Sequence, residues 1–193
     1  MITVLGWGSL IWDPRELRLD GKWHRDGPML PVEFARISSY GWLTLVIHPG
    51  SADVRTLWAN MSSKDLNEAI DELAKREGTS MHCIGFADAT NGRAASRFPS
   101  DITQRISSWM AGRPIGAVIW TDLPSNFEAK RDLDFDEVHV VEYLRTLRGK
   151  AKTKAREYVT RAPRQVSTVI RGVIESQFGW HCEADEGLLE GQP

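Results

Sequence analysis

Val4-Leu5-Gly6-Trp7-Gly8-Ser9-Leu10-Ile11-Trp12-Asp13-Pro14 is the stretch around which the rest of the chain is organised. The apolar run from Ile2 to Leu5 predicts a short buried strand. Gly6 and Gly8 interrupt it and open backbone conformations closed to other residues. Asp13-Pro14 then reads as a turn. A strand that runs into a glycine loop presents several backbone N–H groups, which can form a concave site for a carboxylate or another anion. Two motifs are excluded. A dinucleotide fingerprint needs a third glycine where Ile11 stands. A nucleophile elbow needs glycines two residues to either side of the serine, and here Gly8 is adjacent to Ser9. The plainest alternative is a glycine turn that ends an edge strand.

Working outward, the next informative element is a helix predicted from Leu66 to Glu77. Ser62 or Ser63 is the candidate N-cap, with Asp65 in the first turn, and Gly78 is a fitting stop. Leu66, Ile70 and Leu73 recur at helical spacing and define a buried face. At ~100° per residue, Glu77 falls within about 20° of Leu66 in projection. Glu68, Asp71 and Glu72 point elsewhere. One carboxylate is therefore directed inward, where leucine would be the bland choice. Burial of a carboxylate is costly and tends to raise its pKa, which makes it useful as a proton carrier near neutral pH. The competing expectation is that Glu77 swings to solvent or pairs with Arg76 or Arg55.

Taken together, these two features resemble a known family. Gly6-Trp7-Gly8-Ser9-Leu10-Ile11-Trp12 is similar to the Tyr-Gly-Ser-Leu loop of the gamma-glutamylcyclotransferase-like proteins, above all the ChaC branch. Trp7 departs from the pattern, standing where the family has tyrosine. The family also carries a glutamate downstream, at the end of a helix that follows several strands, and Glu77-Gly78 matches it in type, following residue and order. The resemblance spans roughly residues 2–87. It implies that backbone amides of Gly6, Trp7, Gly8, Ser9 and Leu10 bind the gamma-glutamyl group of a small-molecule substrate. It implies Glu77 as the catalytic residue, with no metal or organic cofactor. The expected reaction closes the gamma-glutamyl unit to 5-oxoproline and releases an amine. Nothing in the sequence chooses between glutathione, a gamma-glutamyl amino acid and a gamma-glutamylamine.

Between the loop and the helix, residues 13–29 look irregular, and strands are expected over 30–38, 42–47 and 54–60, with a tight connection at Ser39-Tyr40-Gly41. This succession suggests a meander or small barrel. A strand over Met81 to Ala87 carries His82 and Cys83 on opposite faces, which argues against a Cys–His pair. Asp88 to Ser100 reads as an exposed loop. Helices follow from Ser100, from Asp134 or Asp136 to about Leu147 with Val138, Val141 and Leu144 inward, over 152–161, and through an amphipathic stretch at Val166, Val169, Ile170, Val173 and Ile174. A strand at 115–121 separates the first two. The fold class expected is α+β: a small mixed β-sheet or barrel with flanking helices.

The chain has 193 residues, 41% of them hydrophobic and 26% charged, which suits one domain over 1–182 with an acidic tail at 183–193, read as loosely attached. A net charge of −2 exerts no global pull toward nucleic acid or anionic membrane. Neither a signal peptide nor a span of membrane length is visible, and the two cysteines, Cys83 and Cys182, lack metal-ligand spacing. A cytoplasmic protein with reduced thiols is expected. Of the eight tryptophans, Trp7, Trp12, Trp23 and Trp42 fall in the first quarter, where they either fill the core or floor a pocket. A basic run that includes Arg145, Lys154, Arg161 and Arg171 raises nucleic-acid binding as a second function class, but apart from Tyr158 it lacks interleaved aromatics, so a solvated face is expected. Two further alternatives are a binding protein without turnover and a serine amidase built on Ser9.

Overall fold

The structure, a computed structural model, describes residues 1–183 and the backbone of 189–190. It is α+β, with a mixed sheet and a smaller antiparallel sheet flanked by helices. The strands are β1 (Ile2–Gly6), β2 (Leu19–His24), β3 (Met29–Ile37), β4 (Leu43–Ile47), β5 (Asp53–Arg55), β6 (Leu57–Met61), β7 (Ile84–Asp88), β8 (Arg93–Ala95), β9 (Ala117–Thr121) and β10 (Leu189–Glu190). The helices are α1 (Leu66–Glu77), α2 (Ser100–Met110), α3 (Phe127–Arg131), α4 (Glu137–Thr146), α5 (Gly149–Arg161) and α6 (Val169–Phe178).

The larger sheet runs β10-β2-β6-β1-β9-β7-β8, and the smaller runs β4-β3-β5. Both are open, so the barrel alternative does not hold among the described residues. Nor is β1 an edge strand. It lies between β6, antiparallel with Val4 opposite Ala59, and β9, parallel with Val4 opposite Ile119. A strand buried on both faces reads as a continuous apolar run. Ile2 to Gly6 are all buried accordingly. Helix α1 packs on β9 and β7, while α3 and α6 cover β3 and α5 covers β4. The core between them includes the fully buried Leu5, Phe34, Leu57 and Trp120. No helix of the described residues is long and apolar enough to cross a membrane.

Several expectations need correction. The strand expected over 54–60 is two strands, because the chain leaves one sheet for the other at Thr56. That residue is fully buried, and both its N–H and its hydroxyl donate to Pro28 O. The irregular stretch before residue 29 contains β2, in which only Trp23 is buried, so hydrophobic periodicity has little to report. Met81–Cys83 is a 3₁₀ turn rather than part of a strand, so the opposite-faces reasoning about His82 and Cys83 falls away. The loop at 88–100 holds the short strand β8, and α3 follows β9 unannounced. Asp65, not Ser62 or Ser63, caps α1, accepting from Glu68 N–H. Val138 and Val169, expected inward, are exposed. Within the tail, Leu189–Glu190 pairs in parallel with β2, and the rest of 184–193 lies outside the described residues.

The basic run is only partly a solvated face. Arg171 is buried, and its guanidinium donates to the carbonyls of Val159, Ala162, Pro163 and Val166, where α5 ends. The last carbonyls of a helix lack partners within it. Arg171 supplies them from the first turn of α6.

Candidate functional site

Because β1 and β9 are parallel neighbours, their carboxyl ends emerge on the same side of the larger sheet. The loop after β1 and Thr121 at the end of β9 both line a cavity of about 630 Å³ there. Ligands in sheets of this kind bind where loops leave the carboxyl ends of strands. The β3–β4 hairpin forms the opposing wall, with the end of α1 and Tyr158 of α5 completing the enclosure.

Every residue expected at the site lines this one cavity: Gly6, Trp7, Gly8, Ser9, Leu10 and Glu77. Trp12 and Trp42 line it too, whereas Trp23 is core and packs beneath Gly6. A Cβ on Gly6 would lie 2.6 Å from the Trp23 ring. The loop is tied down by Ile11 N–H to Gly8 O at 3.0 Å and Asp13 N–H to Ser9 O at 2.8 Å. The Trp7 indole N–H donates to Leu45 O at 3.2 Å, fastening the loop to β4. Trp7 thus gives the loop a donor that reaches across to the smaller sheet. Among the described residues, neither Gly8 nor Leu10 donates its backbone N–H to a backbone carbonyl.

Glu77 is the last residue of α1, and Gly78 follows in the left-handed conformation at φ +64°. Glycine adopts this without strain, and the helix stops there. Oε1 of Glu77 receives Arg76 Nη1 at 2.7 Å and the Thr121 hydroxyl at 3.2 Å. The inward direction expected for Glu77 holds, with its side chain 16% exposed, and so does the competing expectation of pairing with Arg76. The apolar surroundings expected around the carboxylate are replaced by a cation and a hydroxyl.

Arg76 was legible in the sequence only as a possible partner. Its side chain is 4% exposed, and it links three parts of the site. Nε and Nη2 donate to Asp13 O, Nη2 also to Ser9 Oγ at 3.2 Å, and Nη1 to Glu77. Ser9 therefore meets a guanidinium, which cannot act as a base. That arrangement gives no support to a serine nucleophile.

Sequence reasoning missed Tyr158. It is buried on α5, far along the chain from the loop. Its hydroxyl accepts from Leu45 N–H at 3.3 Å and interacts with Ser9 N–H. Burial pushes this phenol above its usual range, so it remains a neutral hydroxyl. Gly8 lies directly against it, since a Cβ there would fall 2.2 Å from the hydroxyl oxygen. The sequence marks a short helix there, and nothing local indicates that Tyr158 faces inward or what it touches.

Among the described residues, no group of three or more His, Cys, Asp or Glu side chains could hold a metal ion. No protein-family model, curated protein or solved structure matches the chain.

Proposed function

We propose that this protein is a gamma-glutamylcyclotransferase-like enzyme, acting in the cytoplasm on a small gamma-glutamyl compound. The observation that carries the reading is the meeting of the Gly6–Leu10 loop and Glu77 around one cavity, although the two lie far apart in the chain. Pairwise proximity of a proton carrier and a set of backbone donors is what intramolecular acyl transfer requires.

In this mechanism the alpha-amino group of the gamma-glutamyl unit attacks its own side-chain carbonyl. The group attacks as the free amine, its ammonium proton already given up to solvent, and Glu77 takes a second proton from the same nitrogen as the new C–N bond forms. The carbonyl oxygen becomes an oxyanion, for which the N–H groups of Gly8 and Leu10 are the available donors. Collapse breaks the bond to the original nitrogen, which receives the proton from Glu77 and leaves as an amine, while 5-oxoproline remains. One carboxylate suffices because it first accepts and then returns the same proton. Arg76 and Thr121 fix its Oε1, so its position does not depend on the substrate.

The contact between Arg76 and Glu77 favours one other reading, binding without turnover, because the carboxylate is already engaged by a cation. Release of 5-oxoproline from a panel of gamma-glutamyl amino acids and amines separates the two. Glu77→Gln should abolish that release while ligand binding persists. A variant retaining more than about a tenth of wild-type kcat would remove Glu77 from this role, since general acid–base catalysis contributes ~100-fold or more.

A further inference from the structure

Five cationic side chains line the cavity. Three have carboxylate partners: Arg15 with Asp13, Arg76 with Glu77 and Lys154 with Glu157. Arg36 and Lys130 do not. Nη1 of Arg36 donates to Pro124 O at 2.7 Å, and Nζ of Lys130 to Ile37 O at 3.0 Å and Ser38 O at 3.2 Å. Among the described residues neither forms an ion pair with a carboxylate. The half-buried Arg36 is pushed below its ordinary range, first by burial. The nearby Cys83 thiol opposes that shift and the like charge of Arg97 adds to it. A guanidinium stays protonated regardless, so a cation is being held against a cavity wall without a carboxylate partner among the described residues.

The local backbone accounts for its placement. Strands β3 and β4 pair with Glu33 opposite Val46 and with Arg36 opposite Thr44, and the register shifts between them. A bulge of this kind inserts a residue and re-aims the side chains beyond it. Val46 and Thr44 lie two residues apart and share a face, so the bulge brings Arg36 to the face of Glu33, where an unbroken alternation would not place it. Glu33 lies against the start of α6, and Arg36 lines the cavity.

We propose that Arg36, assisted by Lys130, binds a carboxylate on the part of the substrate that leaves, and so selects gamma-glutamyl amino acids or peptides over gamma-glutamylamines. This rests on the cyclotransfer reading for the identity of the ligand. The loop and Glu77, both attached to the larger sheet, engage the gamma-glutamyl unit. Arg36 and Lys130 come from the opposing wall, built by β3 and α3, and face what remains. An amino acid or peptide carries a carboxylate there, and a simple amine carries none. A guanidinium offers five N–H donors in a fork that matches a carboxylate, and only one contact is used by Pro124.

The test compares gamma-glutamylalanine with gamma-glutamylethylamide, which differ by that carboxylate alone. Turnover is measured on wild-type protein and binding by calorimetry on Glu77→Gln protein. The expected preference for gamma-glutamylalanine is roughly 10- to 100-fold, the range of a charge-assisted hydrogen bond. Adding Arg36→Met should bring the ratio close to one, and Arg36→Lys should restore part of it. Lys130→Met should reduce it by a smaller factor and serves if Arg36→Met fails to fold. A ratio near one in wild type, or one that Arg36→Met and Lys130→Met leave unchanged, overturns the proposal. If neither compound is turned over but binding is selective and depends on Arg36, the cyclotransfer reading fails and the anion site stands. If neither compound binds, both fail.

Discussion

The last turn of α1 and the first turn of α6 each bring a glutamate and an arginine out of water, with opposite outcomes. At α6, Glu33 is 3% exposed and accepts N–H groups from Phe34 at 2.8 Å and Ile170 at 3.2 Å, with Thr168 and Val169 also contributing. Arg171, in the same turn, spends its donors on the carbonyls at the end of α5. A carboxylate at a helix N-terminus complements the helix dipole. Neither group lines the cavity of the candidate site; backbone groups occupy both, and Glu175 also pairs with Arg171. At α1 the carboxylate of Glu77 sits at the helix C-terminus, where the dipole opposes it. Arg76 offsets that, and the pair opens onto the cavity. The contrast teaches that a buried charge alone does not mark a site. The informative one is placed against the local electrostatics and left with space beside it.

Exchanging each glutamate for glutamine should separate the two regions most widely. Glu77→Gln is expected to lower kcat by ~100-fold or more with little change in the urea unfolding midpoint. Glu33→Gln should do the reverse. It removes an acceptor from buried N–H groups and costs about 1–3 kcal/mol, with kcat per folded molecule retained. The pH dependence of stability sharpens the point. Burial raises the Glu33 carboxyl above its ordinary value of 4.5, so the folded chain keeps a proton that the unfolded chain has released. Stability should therefore fall as pH rises from 4.5 through that raised value, then level off. Glu33→Gln should flatten this segment, as read from unfolding curves across pH.

Next in size is Arg171→Met, which leaves the carbonyls at the end of α5 without their donor. A loss of about 2–3 kcal/mol in chemical unfolding is expected, since buried acceptors without partners are costly. A change under half that would show that water replaces the guanidinium readily.

On the open side, Gly8→Ala drives a methyl into the Tyr158 hydroxyl and should cost ~1–3 kcal/mol. Tyr158→Phe removes that oxygen. The pair should then be less damaging than the sum of the single changes, a coupling measurable in a double-mutant cycle. Strict additivity would break the link between loop and helix. The smallest effect belongs to Ser9→Ala, ~1 kcal/mol of ligand affinity through its bond to Arg76. Retention of turnover, and no acyl-enzyme mass in wild type, would confirm that Ser9 is not a nucleophile.

These regions also differ in how far the sequence discloses them. The end of α1 is written locally: apolar spacing places Glu77 inward, and Gly78 stops the helix. The strand before Gly6 is equally plain, because burial on both faces leaves a continuous apolar run. What the sequence withholds is long-range. Tyr158 reads as one aromatic on a basic helix until α5 is docked against β4. Arg171 reads as one more charge in a basic run until its carbonyl partners arrive. Thr56, where the chain changes sheets, carries no glycine or proline to announce it. Arg36 continues a plain alternation until the bulge in β3 shifts the register. The cavity-lining loop is visible in outline, but the groups that hold it in shape come from elsewhere in the chain.

The placement of Tyr158 also bears on synthesis. Its hydroxyl takes the N–H of Leu45 across a separation of 113 residues, and the same hydroxyl steadies the loop that follows β1. At the ribosomal pace of about 5–20 residues per second, the β4 amide is made roughly 6–23 s before its partner. The loop after β1 is thus made well before the group that steadies it, so a nascent chain that stops short of α5 carries that loop without the group that holds it.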